Sequence, residues 1–543
     1  MRSLAGTSKL LHLTLRRDRI RLPVWLLSLT LLVAGFAAAY RDVLKSPQDL
    51  IAVTQLYLTN PSARLFGLPS GLDLGSYAML RAGLFIGIIV ALLNIFLVIR
   101  HTRQNEETGR EELLRSGKVG RHASLAAAVT VALGVNACIA ALTAFMLIAN
   151  QFDVQGAIAA GAMWGAVGMS FAAIAAVTAQ LTKTTRGASG LAGAGLGAAF
   201  VLSAVGGLLG TVDAVAYRVV PAWPTWFTPL GWAQLMRPFS ENNWLWLAVF
   251  AAFIIVCIAA AVVLNARRDT GMGLLPEHRG PDRAAKNLLS PMGLIWRLQR
   301  GSFTGWFFGV VVIGAGMGSL SQSVSSSLSQ SEDIKMFVTR LGGTDQLIAA
   351  FLGLIISMIG AIVAAFTVQS ILRVHADEDG GTAEAVLATR ISRQRWLGSY
   401  IAYGALATAA IIVCLGAAEG LTTGLTLGNT GHYISELLAA ALVQLPAMFV
   451  FGGIAVLCFG LVPRAAVAIT WAAYALAMLA GPIMSGLIRV PHWAQNVSPF
   501  SHTPNAPAEP ITAMPLIVLS LIAVGLTAAG LSFYRRRNVA GAG

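Results

Sequence analysis

The sequence has few charged residues. Asp, Glu, Lys and Arg make up 11% of its 543 residues, whereas hydrophobic residues make up 56%. An ordinary soluble domain carries about 25% charged residues, so this composition excludes that class. Apolar runs of about 20 residues, each long enough to cross a hydrocarbon core of roughly 30 Å as a helix, fill most of the chain. The composition therefore predicts an all-α polytopic membrane protein.

Twelve apolar runs have the length of a membrane span. Six precede the basic segment 266–303 and six follow it, which predicts two tandem six-helix halves, 1–265 and 304–543, joined by a linker. The predicted spans are 22–40, 79–99, 123–149, 156–181, 188–210, 244–265, 304–322, 347–372, 397–418, 436–461, 465–488 and 514–534.

Cysteine is scarce as well. All four cysteines lie within apolar runs, without the paired spacing of zinc or disulfide sites; they are Cys138, Cys257, Cys414 and Cys458. We interpret them as small buried hydrophobic residues and predict neither a metal site nor a disulfide bond.

The net charge of +14 would indicate nucleic-acid binding in a soluble protein, but in a membrane protein its distribution between the two sides decides its meaning. With twelve spans, 29 of the 38 Lys and Arg residues fall on one side. Because basic residues resist translocation, we expect both termini in the cytoplasm of a multi-pass cell-membrane protein, with no nucleic-acid partner. Residues 4–20 are amphipathic and predict an interfacial helix, either a surface anchor or an elbow that transmits force.

Two polar segments recur between apolar runs. Residues 106–121 (EETGREELLRSGKVGR, the first polar segment) align without gaps with residues 378–393 (EDGGTAEAVLATRISR, the second polar segment), 272 positions later. Identical residues occupy four pairs of positions: Glu106 and Glu378, Gly109 and Gly381, Glu112 and Glu384, Arg121 and Arg393. Together with further matches at offsets of 281 and 270, this recurrence predicts a tandem duplication whose halves point the same way.

Ionisable residues are also few within the predicted spans. Four acidic residues, Asp153, Asp213, Glu419 and Glu436, fall at predicted span ends or in loops. An ion-coupled carrier usually needs ionisable groups within its spans, so secondary transport remains the alternative rather than the preferred function. The cluster His375–Asp379 could suggest a membrane enzyme, but the matching stretch His101–Asn105 lacks the acids. We interpret it as a solvated helix end and predict no catalytic site.

A nucleotide-binding motif is also missing. The phosphate loop GxxxxGK[ST] does not occur, since Gly117-Lys118 is followed by Val119. If transport is active and no ion relay is visible, the energy must come from a separate polypeptide. We therefore expect this chain to bind no cofactor, with ATP and Mg on a partner ATPase.

The residues EETGREELL of Glu106–Leu114 resemble the cytoplasmic signature of actinobacterial ABC exporter permeases of the polyketide-antibiotic, tetronasin-resistance type. The stretch Gly381–Trp396 resembles the second copy of that signature, and the resemblance extends over nearly the whole chain. It implies an ABC-2-like exporter fold in which the loop after the second span of each half forms a coupling helix, about 101–121 and 373–396. Each helix would dock into a groove of one of two ATPase copies.

Carried over residue by residue, the resemblance assigns the coupling role to Gly109, Arg110 and Glu112 in the first half and to Gly381 and Glu384 in the second. Thr382 stands where Arg110 would recur, which puts equal coupling of the two sites in doubt. The family also implies a cavity lined by the second and fifth helices of each half, with these candidates: Phe85, Asn94, Phe200, Met358, Phe366 and Met478. An apolar wall suits hydrophobic or amphipathic cargo such as ionophores, polyketides, drugs or lipids.

Overall fold

The computed structural model describes residues 2–43, 47–59, 61–65, 67–115, 119–269, 271–275, 283, 285–321, 344–481 and 492–536. The chain divides into two compact units, Met1–Arg279 and Gly280–Gly543. Within the described residues, twelve helices are long and apolar enough to cross a membrane, six in each unit. The prediction of an all-α polytopic membrane protein is confirmed.

The first unit contains, in chain order, α1 (Thr7–Arg17), α2 (Arg21–Val43), α3 (Pro47–Thr59), α4 (Leu74–Ala78), α5 (Leu84–His101), α6 (Arg103–Glu107), α7 (Arg110–Arg115), α8 (Ala123–Ala149), α9 (Val154–Leu181), α10 (Thr185–Leu208), strands β1 (Thr211–Asp213) and β2 (Arg218–Val220), α11 (Pro229–Met236) and α12 (Leu245–Arg267). The two strands pair antiparallel, with Val212 opposite Val219. Helix α9 is the central element, packed against α5, α8, α10 and α12.

The second unit contains α13 (Pro291–Ser319), α14 (Thr344–Asp379), α15 (Thr382–Leu387), α16 (Arg393–Leu427), α17 (Thr430–Val443), α18 (Leu445–Leu461), α19 (Ala466–Ala480), α20 (His492–Gln495) and α21 (Ala513–Arg536). Helix α16 packs against α13 and α17, and α18 packs against α14 and α21. We call the end of each unit at which its polar segment lies the polar end.

Local sequence signals explain where several helices begin. Asp153 precedes α9 and accepts a hydrogen bond from the amide of Gly156 at 2.8 Å, as an N-cap residue does. Ser290 caps α13 in the same way, and Pro291 occupies the first position of the helix, where its missing N–H costs nothing. This cap starts α13 thirteen residues before the predicted span, so residues 291–303 of the predicted linker are helical.

Small residues let the long helices touch backbone to backbone, as is common in membranes. A Cβ atom at Gly165 of α9 would lie 3.0 Å from the carbonyl oxygen of Asn136 in α8. In the second unit a Cβ atom at Gly453 of α18 would lie 2.9 Å from the carbonyl oxygen of Ala523 in α21. These contacts leave no room for a larger side chain.

Two sequence expectations need correction. Helix α16 extends to Leu427, nine residues beyond the predicted span, so Glu419 lies inside a helix rather than at its end. Of the cysteines, Cys458 alone is buried, whereas Cys138 is exposed and the other two are intermediate, because outward faces of spans in this fold are apolar too. Residue 322 and residues 482–488 of the predicted spans lie outside the described residues.

Candidate functional site

The first polar segment forms two short helices joined by a tight turn. Helix α6 ends at Glu107, and α7 begins at Arg110. Between them Gly109 adopts a φ of +72°, and its amide donates to the carbonyl oxygen of Glu106 at 3.1 Å. Glycine adopts this left-handed conformation at low cost, and a Cβ atom here would meet nothing within 4 Å. The requirement for glycine is therefore conformational rather than steric.

The second polar segment repeats this turn. Helix α14 runs without a break to Asp379, and α15 begins after Gly381, whose φ is +74°. The amide of Gly381 donates to the carbonyl oxygen of Glu378 at 3.1 Å, which is the equivalent of the Gly109 bond. The two segments thus share their turn, although α5 is separated from α6 at Thr102 whereas α14 is continuous.

Each short helix buries one face and exposes the other. Glu111 of α7 is 2% exposed and accepts a hydrogen bond from the hydroxyl of Ser124 at 2.7 Å; the equivalent residue of α15, Ala383, is fully buried. The neighbouring Glu112 and Glu384 are exposed. The arrangement presents the repeated carboxylate of each segment to the surroundings on a fixed scaffold. Arg110 is exposed on α7 as well.

A buried ionic network supports the first polar segment. The carboxylate of Glu106 pairs with Arg103 at 2.5 Å and with both terminal nitrogens of Arg268, one of them at 2.7 Å. Arg268 follows α12 and also donates from Nε to the side chain of Gln180, near the end of α9, at 2.7 Å. The Glu106 network, which we define as Arg103, Glu106, Gln180 and Arg268, therefore ties the turn to the polar ends of α9 and α12.

The equivalent glutamate of the second unit has a different partner. Glu378 accepts a hydrogen bond from the hydroxyl of Tyr534 in α21 at 2.8 Å. The adjacent Asp377 is 4% exposed, accepts from Tyr400 Oη at 2.5 Å and pairs with Arg373 at 3.3 Å. Both glutamates thus reach the last span of their own unit, one through a guanidinium and the other through a phenol.

The amphipathic N-terminal segment contacts the end of α5 and the residues just before the first polar segment. Asp18, 2% exposed, lies between α1 and α2 and pairs with His101 at 2.5 Å and Arg100 at 3.1 Å. Arg17 donates to the side chain of Asn105 at 2.8 Å. Burial, and to a lesser degree the charge of Arg110, lower the pKa of Arg17 from its usual value. Helix α1 is therefore joined to the end of α5 as well as lying beside α8.

The six predicted cavity residues occupy varied places. Asn94 is fully buried, and its side chain exchanges hydrogen bonds of 3.0 and 2.7 Å with Asn136. Phe366, 272 positions later, is also fully buried and packs against Trp306 with ring centroids 6.0 Å apart. Phe85 is 49% exposed. The remaining three are partly buried, with Phe200 and Met478 packed on the core of their own unit: Phe200, Met358 and Met478.

The second unit contains an apolar cavity of about 400 Å³. Its lining comes from α14, α16, α18 and α21 and includes Ile371, Phe449 and the hydroxyls of Thr367, Ser520 and Thr527. Among the described residues, none of the six predicted positions belongs to this lining. The cavity lies beside the second span, as expected, but its other walls come from the third, fourth and sixth spans.

Sequence reasoning missed the partners of the polar segments. The identity of Glu106 and Glu378 was visible in the repeat. A basic residue, Arg268, stands just after the sixth apolar run of the first half, and an aromatic residue, Tyr534, ends the sixth apolar run of the second half. Those two facts together could have suggested the contacts. Asp18 gave a weaker signal, because nothing in the sequence places it next to His101.

Residues 288–535 match the family described as "Multidrug efflux system permease Rv1217c, C-terminal domain". The chain is also 36% identical over 536 residues to the multidrug efflux system permease protein Rv1217c of Mycobacterium tuberculosis (strain ATCC 25618 / H37Rv), an alignment that covers 98% of this chain and 95% of that protein. The alignment covers nearly the full length of both proteins and therefore includes both units of this chain. The chain therefore belongs to the family of the multidrug efflux system permease Rv1217c.

Proposed function

We propose that this chain is the membrane-spanning permease of an ATP-driven ABC exporter that removes hydrophobic or amphipathic compounds from the cell. The observation that carries the proposal is the pair of matched turns at Gly109 and Gly381. Each presents an exposed carboxylate, in a chain whose full-length relative is named an efflux permease. A closer placement in the polyketide-antibiotic, tetronasin-resistance group is part of the same proposal.

The proposed partners are two copies of a separate ATPase, which bind ATP and Mg. Each copy contacts one polar segment, through Gly109, Arg110 and Glu112 in the first unit and through Gly381 and Glu384 in the second. An exposed carboxylate at the tip of a short helix suits a charge-assisted hydrogen bond with Arg or Lys on the partner. Both polar ends and both termini are then cytoplasmic, in agreement with the distribution of basic residues.

The contacts of each polar segment suggest how a force exerted by the proposed ATPase on the turn is transmitted to the spans. Displacement of α7 acts on the Glu106 network, which holds the polar ends of α9 and α12. Displacement of α15 acts through Glu378 on Tyr534 of α21. Because these contacts are short and at least partly buried, the turns and the spans move together rather than independently.

The proposed cargo is apolar or amphipathic, such as polyketide antibiotics, other drugs or lipids. The cavity beside α14 supports this, because its wall is apolar with a few hydroxyls that can orient a ligand. Phe85, Phe200, Met358 and Met478 remain proposed contacts. Asn94 and Phe366 are fully buried in helix packing, which supports a structural role for them in addition to a proposed contact with cargo.

The decisive experiment uses the double variant Glu112→Arg with Glu384→Arg, purified together with a candidate partner ATPase. Losing a desolvated interfacial charge pair costs about 2–5 kcal/mol, so we expect substrate-stimulated ATP hydrolysis to fall at least about tenfold. The matched control is Asp379→Arg, the same charge reversal at an exposed position of the second polar segment, which should retain stimulation.

Normal stimulation in the double variant would contradict the docking assignment. The alternative of ion-coupled secondary transport makes a separate prediction. Transport by the purified chain in vesicles would then persist without ATP and stop when the ion gradient is collapsed.

A further inference from the structure

Glu419 occupies an unusual place for an acidic residue. It lies in α16, 26 residues after Arg393 and eight before Leu427, which is about 39 Å along the helix from its polar end. Its side chain is fully buried. The position is therefore inside the helical bundle, towards the end opposite the polar end of the unit.

Backbone contacts between three helices enclose this position. A Cβ atom at Gly318 of α13 would lie 2.5 Å from the carbonyl oxygen of Glu419. On the other side, a Cβ atom at Gly420 would lie 2.7 Å from Cα of Ile434 in α17, and one at Gly416 would lie 2.7 Å from the carbonyl oxygen of Leu437. Helices α13, α16 and α17 are thus in close contact at the backbone of Glu419. Because its side chain is fully buried, water reaches the carboxyl group only if the packed helices separate.

Within the described part of the chain, neither carboxyl oxygen of Glu419 has a hydrogen-bond donor. The nearby hydroxyls are engaged elsewhere: Thr422 bonds to the carbonyl of Ala418, and Thr423 bonds to that of Gly318. The titratable groups of α17 are His432, Tyr433 and Glu436. His432 and Glu436 pair with each other at 3.4 Å, and their side chains are 50% and 38% exposed. A carboxylate buried without a cation or a donor is strongly disfavoured, whereas the neutral acid is tolerated.

The first unit shows what the fold itself requires at this place. The equivalent residue, 272 positions earlier and likewise 26 residues after the matching arginine Arg121, is Leu147. Leu147 is 2% exposed and belongs to the apolar core of its unit. Leucine therefore satisfies packing at this position, and the fold does not require a carboxyl group here. Ionisable residues inside spans usually mark ion or proton sites.

We propose that Glu419 is a proton-binding site. It holds a proton while α13, α16 and α17 are packed together, and it releases the proton to water when their contact opens. The O–H bond of the acid breaks, a water molecule accepts the proton, and the carboxylate left behind is stabilised by hydration. Since the open arrangement binds one proton fewer, raising the pH favours opening. This inference concerns the chain alone and does not depend on the proposed ATPase.

Infrared spectroscopy of the purified chain tests the protonation. The spectrum of the wild type minus that of Glu419→Gln should show the C=O band of a protonated carboxylic acid at neutral pH. Carboxylate bands in its place would overturn the proposal. A carboxylic-acid band that disappears on addition of sodium at constant pH would also overturn it, in favour of a sodium site.

Hydrogen–deuterium exchange tests the coupling to opening. After correction for intrinsic exchange, the opening of the segment from Leu415 to Leu437 should rise with pH in the wild type, by at most about tenfold per pH unit for one proton. Glu419→Gln and Glu419→Leu, the latter copying Leu147, should show opening that is independent of pH. Glu436→Gln is the matched control and should behave like the wild type. An identical pH dependence in the wild type and both Glu419 variants would refute the coupling.

Discussion

The two polar segments share a turn but differ in how they are held. In the first unit Glu106, which follows the second span, forms ion pairs with two buried arginines, Arg103 and Arg268. These arginines are 0% and 6% exposed. In the second unit the equivalent glutamate, Glu378, accepts a hydrogen bond from the hydroxyl of Tyr534. The same turn is thus accompanied by different contacts in the two units: guanidinium groups on Glu106 and a phenol hydroxyl on Glu378.

The largest loss of stability is expected when the Glu106 network is disrupted. Glu106→Gln removes the charge that compensates two buried guanidinium groups, and breaking a buried ion pair costs about 3–5 kcal/mol. We expect a marked loss of stability of the first unit, measured by thermal unfolding of the purified chain in detergent. Glu112→Gln, exposed on α7, serves as the control. A loss no larger than that of the control would mean that the arginines find other partners.

The next effect tests whether the two turns are equivalent. Gly109→Ala and Gly381→Ala each place a Cβ atom in open space but in a left-handed conformation, which costs about 1–2 kcal/mol. We expect equal losses of stability in the two variants, measured in the same unfolding assay. Asn in place of Gly should recover part of each loss because it tolerates this conformation. Clearly unequal losses would show that one turn has further contacts with its surroundings.

The smallest loss of stability is expected in the second unit, when the hydrogen bond from Tyr534 to Glu378 is removed. Tyr534→Phe removes one hydroxyl from Glu378 and leaves the ring packing unchanged, so we expect a loss of about 1 kcal/mol. Comparison with Glu106→Gln in the same unfolding assay sharpens the contrast between the two units. If Tyr534→Phe were as damaging as Glu106→Gln, the two supports would be energetically alike despite their different chemistry.

Apolar run length and the repeat predicted much of this molecule. Twelve spans follow from hydropathy, and the recurrence of Gly109 and Gly381 identified two turns that share one backbone conformation. The start of α13 was missed because Arg297 and Arg300 interrupt the apolar pattern, although Ser290-Pro291 is a helix start. Glu419 was placed at a span end because a charged residue ends a hydropathy window, whereas the helix continues through it.

The candidate site was only partly predictable because the sequence does not show which way its side chains point. Sequence alignment of the two halves finds which residues recur, but it does not give the direction of a side chain. Asn94 and Phe366 occupy equivalent positions, yet one forms an amide pair with Asn136 and the other packs on Trp306. The contacts of Arg268 and Tyr534 depend on how the last span returns to the polar segment, which is a property of tertiary packing.

The extreme N-terminus has a practical consequence for handling the protein. The carbonyl oxygens of Ser3 and Ala5 accept hydrogen bonds from the amides of His122 and Gly120, at 3.0 and 2.8 Å. Residues added ahead of Ser3 would therefore start beside the backbone that follows the first polar segment. An affinity tag or fluorescent protein fused there would lie against these two hydrogen bonds, so a flexible linker ahead of Ser3 is the better design for purification and activity measurements.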